Sequence, residues 1–335
     1  MVKPKLQLLD DFGRNATNLR ISVTDRCNLT CRYCTSLAID RDWLRNDELL
    51  TFSEIRRISK LAAELGVNQL RITGGEPLLR PNISSLIQNL KILPGIKRIS
   101  MTTNGVLLKN HLSDLEKAGL SSINISLDTL NPTKFTQITG KNNFKTIMNN
   151  IIRAKNSTID VKVNCVALKG FSEDELLDFV NFAINNEITV RFIEFMPFKG
   201  NDWLPSKILS VKEMKKTINQ KYNMIPEDLE HPSQTSRNYR LEGYPGKVGF
   251  IASVTESFCQ WCNRLRLTAD GYLRTCLSGK EETPLRTLLR TGISDEKLKE
   301  IIVKTVRMKP KEHVDFLNPN FRPSSIDREM IDIGG

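Results

Sequence analysis

Histidine is scarce in this chain of 335 residues. Only His111, His231 and His313 occur, and they lie far apart in the sequence. A histidine-based metal site or catalytic triad needs imidazole groups beside their partners, so this spread argues against both. No apolar run reaches the ~18 residues of a membrane span, and the first ten residues lack the apolar core of a secretory signal. We therefore expect a cytoplasmic protein with no membrane partner.

Signals of nucleic-acid binding are also lacking, although the formal net charge is +11. Such an excess favours a polyanionic ligand, either nucleic acid or a small phosphorylated substrate, and a well-solvated basic surface explains it equally well. No block of Lys and Arg and no aromatic RNA-binding motif accompanies the charge. We therefore expect no nucleic-acid partner.

Cysteine, in contrast, is concentrated in two groups. Cys27, Cys31 and Cys34 form a C-x3-C-x2-C triplet directly after a predicted strand. A cubane iron–sulfur cluster has four irons, so three thiolates leave one iron open for a different ligand. A structural zinc ion would require a fourth Cys or His, and no histidine lies near this loop. The odd count and short spacing argue against disulfides. The triplet therefore predicts a 4Fe-4S cluster with an open iron.

A second triplet consists of Cys259, Cys262 and Cys276. A predicted hairpin with an Asp270-Gly271 turn separates Cys262 from Cys276 and folds the chain back, which would bring the three thiols together. This spacing is less specific, and a zinc site with a further ligand stays open. Cys165, the seventh cysteine, lies within a predicted strand and is expected to be a buried apolar side chain. Two triplets and one isolated cysteine favour two iron–sulfur clusters.

Arginines accompany the second triplet. Arg264 and Arg266 lie on one face of the strand that leaves Cys262, and Arg274 lies on the return strand. Planar guanidinium groups beside an open iron suit a phosphate or purine ligand, whereas an ordinary basic hairpin is the alternative interpretation.

The chain up to Pro197 alternates short β-branched runs with segments of helical period, which predicts a parallel sheet, either a partial barrel or an open doubly wound sheet. Capping-box spacing marks two helix starts, at Thr51–Glu54 and at Ser172–Glu175. Beyond Pro197 the chain is polar and irregular, with one expected helix near 211–219 and a β segment at 247–254. The six candidate strands are Leu19–Val23, Asn68–Ile72, Lys97–Met101, Ser122–Leu127, Asp160–Val166 and Thr189–Phe195.

Polar and glycine-containing motifs follow these strands. The first cysteine loop comes after the first strand, Thr73-Gly-Gly-Glu-Pro77 after the second, and Thr102-Thr-Asn-Gly105 after the third. Because the carboxyl ends of parallel strands meet at one rim, where α/β proteins build active sites, these motifs predict a site at that rim.

The first triplet and Gly74-Gly75-Glu76-Pro77, in a serial β/α domain, resemble the radical S-adenosylmethionine superfamily. The second triplet with Asn263-Arg-Leu-Arg266, the segment Leu19–Cys27 and the terminal Ile333-Gly-Gly335 resemble its GTP 3′,8-cyclase family. Thr35-Ser36 stands where that family usually has Met-Pro, and no ligand changes.

The resemblance implies an α/β fold built on a partial (β/α)6 TIM-type barrel, residues 1–197, with a C-terminal β-containing extension, residues 198–335, that carries the second 4Fe-4S cluster. It implies that S-adenosyl-L-methionine binds the open iron of the first cluster, and that GTP lies between the clusters. The S-adenosylmethionine contacts would be Tyr33, Gly75, Ser126 and Met196. The GTP contacts would be Arg20, Arg71, Thr102, Lys162, Arg264, Leu265 and Arg266.

The same resemblance implies the reaction. A 5′-deoxyadenosyl radical would remove hydrogen from C3′ of GTP, and C3′ would then bond to C8, giving (8S)-3′,8-cyclo-7,8-dihydroguanosine 5′-triphosphate for molybdenum cofactor biosynthesis. It also implies an external electron donor, a downstream cyclic pyranopterin monophosphate synthase, a homodimer, and a Gly334-Gly335 tail in the site. Two alternatives stay open: a radical enzyme that modifies peptides with an auxiliary cluster, and a basic zinc-containing nucleic-acid-binding module.

Overall fold

A parallel sheet forms the first half of the chain in the computed structural model, which describes residues 7–34 and 41–334. All six predicted strands are confirmed, with ends that shift by one or two residues. Thr35-Ser36 and Gly335 lie outside the described residues. The strands are β1 Asn18–Ser22, β2 Gln69–Thr73, β3 Arg98–Thr103, β4 Ser122–Ser126, β5 Asp160–Ala167 and β6 Thr189–Glu194.

Helices connect these strands and pack on the sheet. The predicted face of α1 is confirmed, because Ile55, Ile58 and Leu61 are buried. Across the described part of the chain, no helix has the length and apolar character needed to cross a membrane. The helices are α1 Phe52–Glu64, α2 Ile83–Lys91, α3 Leu108–Lys117, α4 Pro132–Thr139, α5 Phe144–Lys155, α6 Leu176–Asn186, α7 Val211–Asn219, α8 Leu285–Arg290, α9 Asp295–Arg307 and α10 Met330–Ile333.

One of the two predicted capping boxes is wrong. The box at Thr51 and Glu54 is present, with each side chain bonded to the other residue's backbone N–H. Glu175 instead accepts hydrogen bonds from the Thr129 hydroxyl and from the Leu130 N–H, at 2.7 and 2.6 Å. This buried carboxylate therefore ties α6 to the loop after β4 and does not cap its own helix.

The C-terminal region extends the sheet at both edges. The expected helix is confirmed as α7, the expected β segment as Lys247–Ile251 (β9), and the expected hairpin as Arg264–Leu267 (β10) and Tyr272–Arg274 (β11). Three short strands were not predicted: β7 Met224–Pro226, β8 Arg237–Leu241 and β12 Glu282–Pro284. β10 pairs in parallel with β1, and β9 pairs in parallel with β6, so eight adjacent strands run in one direction. The added strands are β7 Met224–Pro226, β8 Arg237–Leu241, β9 Lys247–Ile251, β10 Arg264–Leu267, β11 Tyr272–Arg274 and β12 Glu282–Pro284.

Side chains alternate between the two faces of the parallel strands. In β1, Leu19 and Ile21 are buried in the apolar core that the helices cover, whereas Arg20 between them lines internal cavities. One cavity touches residues from β1 to β6 and from β9 and β10, so the sheet curves around it. The polar face of the strands therefore encloses a lumen, as the partial-barrel prediction requires.

Candidate active site: two cysteine triplets in one channel

The first triplet lies on the wall of a cavity of about 180 Å³ at the carboxyl ends of the strands. Cys27, Cys31 and Cys34 are all free thiols and partly exposed. Three of the four predicted S-adenosylmethionine contacts, Tyr33, Gly75 and Ser126, line the same cavity. Met196, the fourth, lines the adjoining cavity instead.

Gly75 lies against the backbone that leads into the cysteine loop. Its N–H donates to Thr24 O, and the Glu76 N–H donates to Arg26 O, both at 2.8 Å. A Cβ atom at Gly75 would come within 2.3 Å of the Arg26 carbonyl oxygen, so only glycine permits this approach. The two loops are thus fixed to each other beside Cys27.

Glu76 links the same turn to the loop after β3. Its buried carboxylate accepts hydrogen bonds from the Thr103 hydroxyl at 2.6 Å and from the Asn104 N–H at 2.7 Å. Burial raises the pKa of Glu76 to about 7, against the effect of these hydrogen bonds. The Asn104 amide also reaches Cys27 Sγ, at 3.7 Å. The motifs after β2 and β3 therefore support the first cysteine loop.

The second triplet lines a neighbouring cavity of about 200 Å³. Arg264 Nη2 donates to Cys262 Sγ at 3.4 Å, and the buried Lys309 ammonium donates to Arg264 O at 2.8 Å. Burial alone would raise the pKa of Cys262, but Arg264 and Lys309 outweigh it and lower the pKa to about 6. Burial instead raises the pKa of Cys27 to about 11. Cys27 and Cys262 thus lie in opposite electrostatic environments.

No single metal ion fits either triplet. Within residues 7–34 and 41–334, no three Cys, His, Asp or Glu side chains are close enough to hold one ion. A four-iron cluster binds each thiolate at a different iron, so its cysteines lie farther apart than the ligands of one zinc ion. Each triplet borders a cavity, so its cysteines would hold a cluster beside a space that a further ligand could occupy.

Four arginines lie in register across four neighbouring strands. Arg71 of β2 pairs with Arg20 of β1, Arg20 with Arg266 of β10, and Arg266 with Arg274 of β11. Arg274 is ion-paired with Glu282 and, at 3.4 Å, with Asp327. Arg20, Arg71 and Arg266 form no ion pair among the described residues, and the Arg20 Nε has no hydrogen-bond partner. We call these three the arginine row.

The arginine row is electrostatically unbalanced. Burial, followed by repulsion from neighbouring arginines, lowers the pKa of Arg71 to about 10 and that of Arg266 to about 9. The pKa of Arg20 falls for the same reasons. All three side chains line the second cavity, together with Thr102 and Arg264. Buried cations without counter-ions favour an anionic ligand in this cavity.

The remaining predicted GTP contacts lie elsewhere. Lys162 lines a third cavity of about 240 Å³ and forms an ion pair with Asp160. Leu265 is buried in the apolar core and lines none of the three cavities, so its predicted contact with GTP stays a prediction. Sequence analysis did not select Arg191, which lines the second and third cavities at β6.

The three cavities form one channel through the lumen. The first and second share Thr102, Asn164 and Met330, and the second and third share Arg20, Arg71 and Arg191. Asn164, which was not predicted as a contact, has an unpartnered and inaccessible Oδ1 atom. The channel thus runs from the first triplet, past the second, to a basic opening.

The C-terminal tail contacts the arginine row at Arg266. Gly334 O accepts a hydrogen bond from Arg266 Nη1 at 2.5 Å. Gly334 has φ of +79°, and a Cβ there would lie 2.4 Å from Thr73 Oγ1, so glycine suits this position on both counts. The described part of the tail therefore reaches the site, as expected.

Two family models cover most of the chain. The Radical SAM superfamily model matches residues 21–183, and the Molybdenum Cofactor Synthesis C model matches residues 188–315. The crystal structure of Streptococcus suis SuiB bound to S-adenosylmethionine has a TM-score of 0.62, with 88% of this chain and 69% of that chain covered. Because identity to it is 17%, this likeness concerns the fold alone. The fold and the matches define a radical S-adenosylmethionine protein.

Similar proteins identify the family within this class. The chain is 43% identical over 329 residues to "GTP 3′,8-cyclase, mitochondrial" of Arabidopsis thaliana, with 98% of this chain and 83% of the relative covered. It is 40% identical over 336 residues to the GTP 3′,8-cyclase of Clostridium perfringens, with 97% and 99% covered. "Molybdenum cofactor biosynthesis protein 1" of Dictyostelium discoideum is 46% identical over 314 residues, 92% of this chain, which spans half of that relative's length. The chain belongs to the GTP 3′,8-cyclase family.

Proposed function

We propose that this chain is a GTP 3′,8-cyclase that converts GTP to (8S)-3′,8-cyclo-7,8-dihydroguanosine 5′-triphosphate, an early step of molybdenum cofactor biosynthesis. The arginine row carries this proposal. Three arginines, of which Arg266 is buried and Arg20 and Arg71 are partly exposed, line the second cavity beside the second cysteine triplet and lack counter-ions among the described residues. A nucleoside triphosphate supplies the missing negative charge, and the names of the relatives favour GTP.

The first cavity suits a 4Fe-4S cluster and S-adenosylmethionine. Its three cysteines line the same space as Gly75, whose close contact with the Arg26 backbone fixes the turn beside them. Tyr33 and Ser126 offer hydroxyl groups on the same wall. When bound, the cluster and S-adenosylmethionine supply the one-electron cleavage that starts the radical reaction. The chain itself contributes a fixed seat and excludes water from it.

The second and third cavities suit GTP beside a second 4Fe-4S cluster, held by Cys259, Cys262 and Cys276. The arginine row and Lys162 would bind phosphate oxygens and orient the nucleotide. Thr102 lies where the first and second cavities meet, so a ribose bound there would lie next to the first cavity. Loss of the C3′ hydrogen, bonding of C3′ to C8 and reduction with protonation at N7 complete the cyclisation. Positioning is the part that these residues perform.

The binding functions would then be divided between two parts of the chain that meet near residue 197. Residues 1–197 would carry the first cluster and S-adenosylmethionine, and residues 198–335 the second cluster and part of the GTP site. The reduction step requires an external electron donor, and a cyclic pyranopterin monophosphate synthase would consume the product. We propose a homodimer that works in the cytoplasm, where iron–sulfur thiols stay reduced.

Anaerobic reconstitution tests this proposal. We expect about eight irons per chain, from two four-iron clusters. Incubation with dithionite, S-adenosylmethionine and each nucleoside triphosphate in turn should give 5′-deoxyadenosine and, with GTP alone, a cyclic product that has the mass of GTP but a different retention time. Tightly bound zinc without sulfide would favour the nucleic-acid-binding alternative and refute the enzyme.

A further inference from the structure

Two buried polar side chains hold Tyr33 from opposite sides. The Tyr33 hydroxyl donates to Asp128 Oδ2 at 2.6 Å. The Tyr33 carbonyl oxygen accepts from Asn201 Nδ2 at 3.2 Å. Asp128 follows β4 and Asn201 follows β6, so both are distant from the cysteine loop in sequence and belong to different parts of the rim. The position of Tyr33 therefore depends on two elements outside its own loop.

Each holding residue is itself anchored by backbone groups. Asp128 Oδ1 accepts from the Val166 N–H at 2.8 Å, which fixes the carboxylate between two strand ends. Asn201 Nδ2 also donates to Met196 O at 2.8 Å, and its Oδ1 accepts from the Phe198 N–H at 3.1 Å. Neither side chain is free to rotate without losing hydrogen bonds, since both are buried.

Asn201 also connects two predicted ligand contacts. One amide group bridges the carbonyl oxygens of Tyr33 and Met196, which line the first and second cavities. Asp128 lines the first cavity directly. These hydrogen bonds thus tie the first cysteine loop to the rim that faces both cavities.

We propose that Asp128 and Asn201 are positioning residues that orient Tyr33 for S-adenosylmethionine in the first cavity. This inference rests on the proposed function, because it takes that cavity as the cofactor site. The O–H···O⁻ bond to a buried carboxylate is short and directional, so it fixes the phenol ring more firmly than a neutral acceptor does. Asn201 fixes the backbone of the same residue.

A double-mutant cycle tests the part of Asp128. In Asp128→Asn, the amide oxygen can still accept from Val166 N–H, but the NH2 group in place of Oδ2 can only donate to the Tyr33 hydroxyl, so the charge-assisted bond from Tyr33 O–H to a carboxylate is lost. We expect about tenfold weaker S-adenosylmethionine binding in Asp128→Asn and in Tyr33→Phe, measured by equilibrium dialysis of the reconstituted full chain. The double variant should bind no more weakly than Tyr33→Phe alone, since Asp128 acts through Tyr33. An equal loss from Asp128→Asn in both backgrounds would overturn this role.

Asn201→Asp tests the second holding residue. The change keeps the side-chain size but replaces the NH2 donor with a carboxylate oxygen, which would face the two carbonyl oxygens without a hydrogen to share, so we expect at least tenfold weaker binding. Asn186→Asp is the matched control, because Asn186 donates to the Phe182 carbonyl on α6, away from the channel. It should bind like the wild type. Wild-type affinity in Asn201→Asp would contradict its role.

Iron content and electron paramagnetic resonance distinguish a loss of positioning from a loss of the first cluster. All variants should retain the wild-type iron content, while the change that S-adenosylmethionine causes in the electron paramagnetic resonance spectrum of the reduced first cluster should weaken. Loss of iron from the Asp128 or Asn201 variant would point to structural support of the cluster and refute positioning. If the wild type binds no S-adenosylmethionine, the proposed function fails. If it binds and the variants match it, only this inference fails.

Discussion

Replacement of Gly75 by alanine would test the contact between the turn after β2 and the first cysteine loop. The added Cβ would lie 2.3 Å from Arg26 O and 2.7 Å from Asp25 O, both backbone atoms with no side-chain freedom. Real Cβ atoms essentially never come closer than 3.0 Å to such atoms, so the loops must separate by about 0.7 Å. Arg26 immediately precedes Cys27, and the displacement would therefore reach the cluster ligand.

The size of the effect follows from this displacement. Overpacking of this kind costs about 1–3 kcal/mol, and the bonds from Gly75 N–H to Thr24 O and from Glu76 N–H to Arg26 O would lengthen. A misplacement of about 1 Å costs about 100-fold in rate when reacting groups must meet. We therefore expect Gly75→Ala to reduce S-adenosylmethionine affinity at least about tenfold and 5′-deoxyadenosine formation about 100-fold.

Equilibrium dialysis and product analysis would measure both quantities in the reconstituted chain. Gly243→Ala is the control, because Gly243 has φ of +78° in the turn between β8 and β9, with open space around the added Cβ. It carries the general cost of alanine at positive φ, roughly 1 kcal/mol, without a clash. It should keep wild-type binding. Wild-type affinity and turnover in Gly75→Ala would refute the reasoning from the close contact.

Three further changes test the rest of the channel. Cys262→Ser should lose about four of about eight irons and form no cyclic product, while it keeps some S-adenosylmethionine cleavage. The control Cys165→Ser should keep every iron. Normal cyclisation by Cys262→Ser would contradict the assignment of the second cluster site. Arg266→Ala should weaken GTP binding at least about tenfold and release the Gly334 tail, without loss of iron. Unchanged GTP affinity in equilibrium dialysis would show that Arg266 has a structural role only. Lys162→Met should weaken GTP binding more than guanosine binding, and an equal effect on both would exclude phosphate contact.

The parallel half of the fold was predictable because each strand carries its own signal. In β1 and β2, the sequences Leu19-Arg-Ile21 and Leu70-Arg-Ile72 place apolar residues towards the helices and an arginine between them. Local patterns of this kind predict strands but not pairing partners. The addition of β9 and β10 to opposite edges depends on long-range register, and it could not be read from residues 198–335 alone.

For the site, too, the sequence predicts the local groups of residues but not the contacts between distant ones. Cysteine spacing and strand-end motifs identified the first cavity, since those residues are close in sequence or share one rim. Asp128 and Asn201, in contrast, contact Tyr33 across 95 and 168 residues. The arginine row likewise forms through strand pairing, so the isolation of Arg20 from any carboxylate appears only in the folded chain.

The charged residues of the two neighbouring cavities would direct the two proposed ligands to different cavities. Among the described residues, no Lys or Arg lines the first cavity, whereas Asp128 does. The second cavity is lined by five arginines and no Asp or Glu from the described chain: Arg20, Arg71, Arg191, Arg264 and Arg266. Two unit charges about 4 Å apart interact by roughly 4 kcal/mol near a protein surface, enough to favour one site over the other by about 1000-fold. A sulfonium cation is therefore repelled from the second cavity and a triphosphate is attracted to it. Because the cavities share Thr102 and Asn164, this sorting would still place the two proposed ligands side by side, as the proposed hydrogen transfer from C3′ requires.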